Sequence, residues 1–212
     1  MDITTIYKAV VEGNAPAVEA GVKQALDDKT GPEVILNEAL ISAMNEVGKR
    51  FQNGIFFVPE MLIAARAMKT GVAILKPLFV ESGIEPLGKV VLGTVFGDMH
   101  DIGKNLVGLM LEGAGFEVID IGVDIPAEDF VAAVKRDNPQ VLGLSALLTT
   151  TMPSIGDVIK ALQEANLRDG LTVVVGGACL TEDLAMQFGA DGYASDAASA
   201  VDKVKELTGL GN

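Results

Sequence analysis

The chain has 212 residues, with 16 Lys+Arg against 29 Asp+Glu for a formal net charge of −13, and it contains one His, one Cys and no Trp. One cysteine excludes an internal disulfide, and one histidine with one cysteine excludes a zinc site built from His and Cys ligands. The acidic balance, with no basic stripe, argues against nucleic acid and anionic membrane as partners.

At 49% hydrophobic and 21% charged the chain reads as globular, long enough for one large domain or two small ones. Met1-Asp2-Ile3-Thr4-Thr5 has no charged-apolar-cleavage pattern, so no signal peptide is expected. Apolar runs are cut by glycine well short of the ~18 residues a membrane span needs, and the expectation is a cytoplasmic protein.

Residues 1 to about 85 read as helix. Asn14 is placed to cap a helix over 15–28, and Thr30-Gly31-Pro32-Glu33 fits a capping box with proline early in the next helix. Ile35, Leu36, Ala39, Leu40, Ala43, Met44 and Val47 then recur at helical spacing, and Asn53-Gly54 stops that helix. A fourth helix starts near Pro59 and carries Met61, Leu62, Ala65, Met68, Val72 and Leu75. Four amphipathic helices with short links predict a four-helix bundle.

After a linker at 82–88 the pattern changes. Short apolar runs at 89–96, 117–121, 141–145, 172–175 and 192–194 alternate with helical stretches near 102–114, 127–136, 153–165, 181–187 and 197–207. Strands apolar on both faces belong to buried parallel sheets, so the second part is expected to be a doubly wound α/β domain of five strands. Such folds bind ligands beyond the carboxyl ends of the strands.

The loop after the first strand reads Gly97-Asp98-Met99-His100-Asp101-Ile102-Gly103-Lys104-Asn105. As a phosphate-binding P-loop it fails: five residues separate the glycines where the motif has four, and Asn105 stands where Ser or Thr would hold magnesium. The lone imidazole offers another reading. A carboxylate on one ring nitrogen fixes the tautomer and raises the basicity of the other, which suits His100 with Asp98 to a metal whose remaining ligands come from elsewhere, as in a macrocycle. A surface histidine in an acidic loop is the alternative.

Two further strand ends weigh in. The third ends in Ser145-Ala146-Leu147, with 41 residues between Gly103 and Ser145, and the fourth in Gly176-Gly177-Ala178, with 28 residues between Leu147 and Gly176. Asp-x-His-x-x-Gly, Ser-x-Leu and Gly-Gly at these intervals resemble the cobalamin-binding signature. Phe51-x-x-Gly54-x-Phe56-Phe57-Val58-Pro59-Glu60-Met61, followed by Ala64-Ala65 and Met68, resembles the bundle of the same family. The chain is similar to the corrinoid proteins of anaerobic methyltransferase systems and to the cobalamin module of methionine synthase.

The resemblance implies a helical bundle (1–85) followed by a Rossmann-like, flavodoxin-like cobalamin domain (86–212). It implies that His100 is the lower cobalt ligand, with Asp98 hydrogen-bonded to His100 and Ser145 to Asp98. It implies cofactor contacts at Asp98, Met99, His100, Asp101, Ile102, Gly103, Ser145, Leu147, Thr149, Gly176, Gly177 and Ala178. Ser145, Leu147 and Thr149 would line a slot for the nucleotide tail, and Gly176-Gly177 would let backbone lie close to it. The bundle, around 56–68, would cover the upper corrin face and swing on the linker at 82–88. Each of Phe51, Phe56, Phe57, Met61 and Met68, taken singly, also reads as ordinary core. Tyr193-Ala194-Ser195-Asp196 lies where the slot would end, and Cys179 is expected to be a small buried hydrophobe.

The implied function is a methyl carrier, inactive alone. Cobalt(I) would take a methyl group from a substrate-specific methyltransferase and pass it, as methyl-cobalt(III), to a second methyltransferase with a thiol or folate acceptor, a reductive activator protein being a third partner. A B12-dependent sensor is disfavoured by the missing basic DNA-binding segment, and the small subunit of a radical mutase by the 85 N-terminal residues.

Overall fold

Asn14 starts its helix as expected. In the computed structural model, which describes residues 2–82 and 85–211, α1 (Ile3–Val11) leads through Gly13 into α2 (Ala15–Asp27), and the Asn14 side chain accepts the Ala17 N–H at 3.2 Å. The next helix runs unbroken through α3 (Pro32–Val34), a π-helical segment (Ile35–Ile41) and α4 (Ser42–Gln52). The capping box expected at Thr30 does not form. Gly31 is the N-cap and no side chain bonds the first turn; Pro32 at the first helical position removes one free N–H and presets φ instead. Gly54, at φ +68°, ends α4, and α5 (Val58–Ser82) opens with Glu60 accepting the Phe57 N–H at 3.0 Å.

These helices bury Ile6, Val10, Val18, Val22, Ile35, Leu40, Met44, Val47 and Leu75. Met61 and Met68 belong to the same core, at 1% and 2% exposure. The apolar side chains left outward near the start of α5 are Ile55, Phe57, Leu62 and Ile63.

The second part is a parallel sheet of β1 (Lys89–Thr94), β2 (Glu117–Asp120), β3 (Val141–Ser145), β4 (Thr172–Gly176) and β5 (Gly192–Ala194), in the order β2-β1-β3-β4-β5. Between the strands lie α6 (Ile102–Gly113), α7 (Ala127–Asp137), α8 (Pro153–Glu164) and α9 (Glu182–Phe188), and α10 (Ala197–Thr208) follows β5. Val91, Leu142, Leu144, Val173 and Val175 are buried with Phe130, Ile155 and Leu162 in one core, which is why these strands carry no polar alternation. Left-handed residues Asn138, Gly189 and Gly209 stop α7, α9 and α10.

This is the flavodoxin-like order, whose switch point falls between β1 and β3. The chain leaves β1 toward β2 on one side and leaves β3 toward β4 on the other, so the loops 95–101 and 146–152 diverge there. The chain divides into two compact units, 1–85 with 113–115 and 86–112 with 116–212. The hinge expected at 82–88 includes Gly83 and Ile84, which lie outside the described residues. Among the described residues no helix is long and apolar enough to cross a membrane.

Candidate functional site

The loop after β1 is pinned by neighbours on both sides. Gly97, at φ +82°, donates its N–H to Asp124 Oδ1 at 2.7 Å, and the Asp124 N–H donates to the Asp98 carbonyl at 2.9 Å. Asp124 itself holds φ +56°, a conformation Asp tolerates better than most residues. The buried Thr94 hydroxyl donates to the His100 carbonyl at 2.9 Å.

Asp98 is fully buried. Its Oδ1 accepts the His100 N–H at 3.0 Å and meets His100 Nδ1 at 2.7 Å. Its Oδ2 accepts the Leu147 N–H at 2.7 Å, the Leu148 N–H at 3.3 Å and the Thr151 hydroxyl at 2.7 Å. Burial pushes the Asp98 carboxyl up. The hydrogen bonds from Thr151, Leu147 and both His100 donors outweigh that and hold it well below the usual carboxylate range. An ionised carboxylate has no proton to give, so Nδ1 carries a ring proton, and in the neutral ring Nε2 keeps its lone pair. The His100 side chain is 51% exposed, and among the described residues no hydrogen bond engages Nε2. Exposed apolar side chains Phe96, Met99, Ile102 and Leu148 stand in the same two loops.

The structure thus joins Asp98 to His100 but not to Ser145. Thr94 pairs with Ser145 in the sheet, so Asp98, four residues further on, lies level with the turn that follows β3. Thr151 in that turn supplies the hydroxyl. Leu147 takes part through its backbone N–H, and Thr149 is exposed. Asp101, Gly103 and Ala178 are also exposed, while Ser145, Gly176 and Gly177 are half-buried.

The glycine at 177 answers to the chain itself. A Cβ there would stand 1.8 Å from the Ala146 carbonyl oxygen, with φ at +151°; one at Gly176 would stand 3.1 Å from the Ala194 oxygen. The close approach expected at Gly-Gly is real, but backbone of the chain makes it. Cys179 is exposed rather than buried, because Leu180 takes the inward position beside it, at 3% exposure. Asp196 caps α10 by accepting the Ala198 and Ser199 N–H groups at 2.9 Å, which accounts for it without a ligand. Thr94, Asp124 and Thr151 were not expected. Only their strand-end positions in the chain could have marked them.

Among the described residues no three His, Cys, Asp or Glu side chains converge as a metal cluster. The protein therefore offers one imidazole nitrogen. Residues 88–202 match the family model of the B12 binding domain, and residues 3–76 match that of a second B12 binding domain. This chain belongs to the B12-binding corrinoid protein family. It is 46% identical to dimethylamine corrinoid protein 1 of Methanosarcina acetivorans over 200 residues, 94% of this chain and 93% of that one. It is 51% identical to dimethylamine corrinoid protein 3 of Methanosarcina mazei over 165 residues, 77% and 99% of the two chains. Among solved structures, a chain of the methanol:cobalamin methyltransferase complex from Methanosarcina barkeri superposes with TM-score 0.86 at 33% identity, over 97% of this chain and 78% of that one. A cobalamin-binding protein from Desulfitobacterium hafniense superposes with TM-score 0.82 at 31% identity, over 98% and 99%.

The cofactor of this corrinoid protein is cobalamin or a related corrinoid, and the residues present fit it. A corrin ring supplies four nitrogens, so one imidazole completes what the protein must provide. Gly103 is a second sign. It lies in the first turn of α6, and a Cβ there meets nothing of the chain within 4 Å. Gly103 is exposed, so a bound group could approach its backbone without meeting a Cβ.

Proposed function

We propose that the chain is the methyl carrier of a multi-subunit methyltransferase system and performs no turnover alone. The observation that carries this reading is the Asp98–His100 pair at the β1/β3 switch point, with Nδ1 held by the carboxylate and Nε2 free to ligate. The bound corrinoid supplies a cobalt centre able to accept and release a methyl group. His100 would hold that centre from one side, Asp98 would orient the ring and keep its proton on Nδ1, and exposed Gly103 would let the cofactor approach its backbone.

A substrate-specific methyltransferase would load the carrier, a second one with a thiol or tetrahydrofolate acceptor would unload it, and a reductive activator would rescue oxidised carrier. The relatives named dimethylamine corrinoid proteins favour a methylated amine as donor, dimethylamine first. We assign shielding of the methyl group to the helical unit.

Anaerobic reconstitution with hydroxocobalamin should give a red protein holding about one corrinoid per chain, and a colourless product would overturn the reading. His100→Ala should abolish the imidazole-bound absorption spectrum and weaken corrinoid retention at least ~10-fold, the usual loss when ligand geometry is disturbed. An unchanged spectrum would remove His100 as ligand. Dimethylamine with its methyltransferase should methylate the reduced carrier; methylation by a methanol enzyme alone would overturn the donor assignment.

A further inference from the structure

We infer that Asp124, in the loop after β2, is a positioning residue for His100: a two-point clasp on the backbone from which Asp98 aims the ring. The inference rests on the reading of His100 as the cobalt ligand. Beyond the last β1–β2 pair, Leu92 with Asp120, the Thr94 N–H donates to the Gly122 carbonyl at 3.0 Å and the Ile125 N–H to the Thr94 carbonyl at 3.0 Å. Those partners lie three residues apart rather than two, so the β2 side carries one extra residue, a bulge of the kind that re-aims a side chain. Asp124 stands in it at φ +56°. Its N–H donates to the Asp98 carbonyl at 2.9 Å, and its Oδ1 accepts the Gly97 N–H at 2.7 Å. One bond would be a pivot. Two bonds from one residue close a ring around the 97–98 peptide and stop it from turning.

The backbone alone asks for a different residue. A left-handed φ favours glycine, and aspartate holds it against a steric penalty. If residue 124 served only to turn the chain, glycine would serve better. What aspartate adds is the bond to Gly97. Among the described residues no other group bonds the Gly97 N–H or the Asp98 carbonyl. The Asp98 carboxylate is held at its tip by the turn after β3, but its Oδ1 points at Nδ1 only while its own backbone stays in place. One Asp124 oxygen accepts a protein hydrogen bond, and the residue is exposed. A carboxamide can therefore set its oxygen on the Gly97 N–H and leave its NH2 in water, and asparagine tolerates this φ as well as aspartate does.

Because the chain has one histidine, the full-length cofactor-free protein gives one imidazole signal in a 15N–1H spectrum. Solvent exchange of its Nδ1 proton should accelerate at least ~10-fold in Asp124→Gly, the ratio expected for losing one hydrogen bond to a charged group. Hydroxocobalamin should bind that variant at least ~10-fold more weakly. Asp124→Ala should show the same exchange rate with a lower urea midpoint than Asp124→Gly, since both lack the bond and only glycine relieves φ. Asp124→Asn should restore the wild-type exchange rate and affinity. Wild-type exchange and affinity in Asp124→Gly would overturn the inference. Asp124→Asn as impaired as Asp124→Gly would overturn it too, because charge at 124 and not the clasp would then be the cause. The expected exchange pattern, without an imidazole-bound absorption spectrum in loaded wild type, would support the clasp while removing His100 as ligand.

Discussion

Asp98→Asn is expected to disarm His100 as a ligand and to destabilise the α/β unit by about 2 kcal/mol, the cost of one buried donor left unpaired. Both Asp98 oxygens act only as acceptors, whereas asparagine must turn its NH2 toward one of the two donor sets. On the Oδ2 side it would oppose the Leu147 and Leu148 N–H groups, and neither can reverse. On the Oδ1 side it opposes one fixed donor, the His100 N–H, because the imidazole can change tautomer. The second orientation is cheaper, and it moves the ring proton from Nδ1 to Nε2. The nitrogen that should meet cobalt is then blocked. Hydroxocobalamin-loaded Asp98→Asn should lack the imidazole-bound spectrum, and its urea midpoint should fall with an unchanged slope.

The same variant carries a pH signature. Folding holds the Asp98 carboxyl below its ordinary value of about 3.9, so the unfolded chain binds that proton more readily. The stabilisation is complete above the ordinary value and is lost as pH falls from there through the lower, folded-state value. The stability gap between wild type and Asp98→Asn should therefore be widest near neutrality and narrow below about pH 4. A gap constant from neutrality to pH 3 would show that the carboxylate's charge is not its source.

Gly177→Ala is expected to cost about 3 kcal/mol or more, combining overpacking with a strained φ. The obstacle is the Ala146 carbonyl oxygen, 1.8 Å from the added Cβ. It is backbone just past a strand pair, Ser145 with Gly176, and has no rotamer by which to escape. Gly103→Ala is the informative contrast. Its Cβ enters open space, so the cofactor-free chain should be as stable as wild type or more stable by about 0.5–1 kcal/mol, while corrinoid binding weakens. Urea titration of both variants measures the first effect, and hydroxocobalamin titration of Gly103→Ala the second. Wild-type stability in Gly177→Ala would mean that the loops after β3 and β4 do not meet at Ala146.

The strands were legible because each is apolar on both faces between breakers, and β3 and β5 fall on the expected residues. Asp98 and His100 were legible because an imidazole and the carboxylate that orients it lie two residues apart in one loop. Thr151 and Asp124 were not. Each acts through strand register or a left-handed backbone, neither of which local spacing records. Ser145 was named from a motif, and the register places it level with Thr94, four residues short of the carboxylate. Met61 and Met68 show the same limit in the helices. Periodicity marks a buried face without saying whether the burial is against the protein's own helices or against a ligand.

The bonds on Asp98 also set an order of events. Its partners Leu147, Leu148 and Thr151 follow it in the chain by 49, 50 and 53 residues. At about 5–20 residues per second of synthesis, the histidine loop emerges from the ribosome seconds before the turn that aims it. A nascent chain halted before residue 151 would carry the whole Asp-x-His-x-x-Gly sequence and still present a wandering imidazole. On the reading of His100 as the cobalt ligand, firm ligation of the corrinoid should follow the docking of β3 on β1.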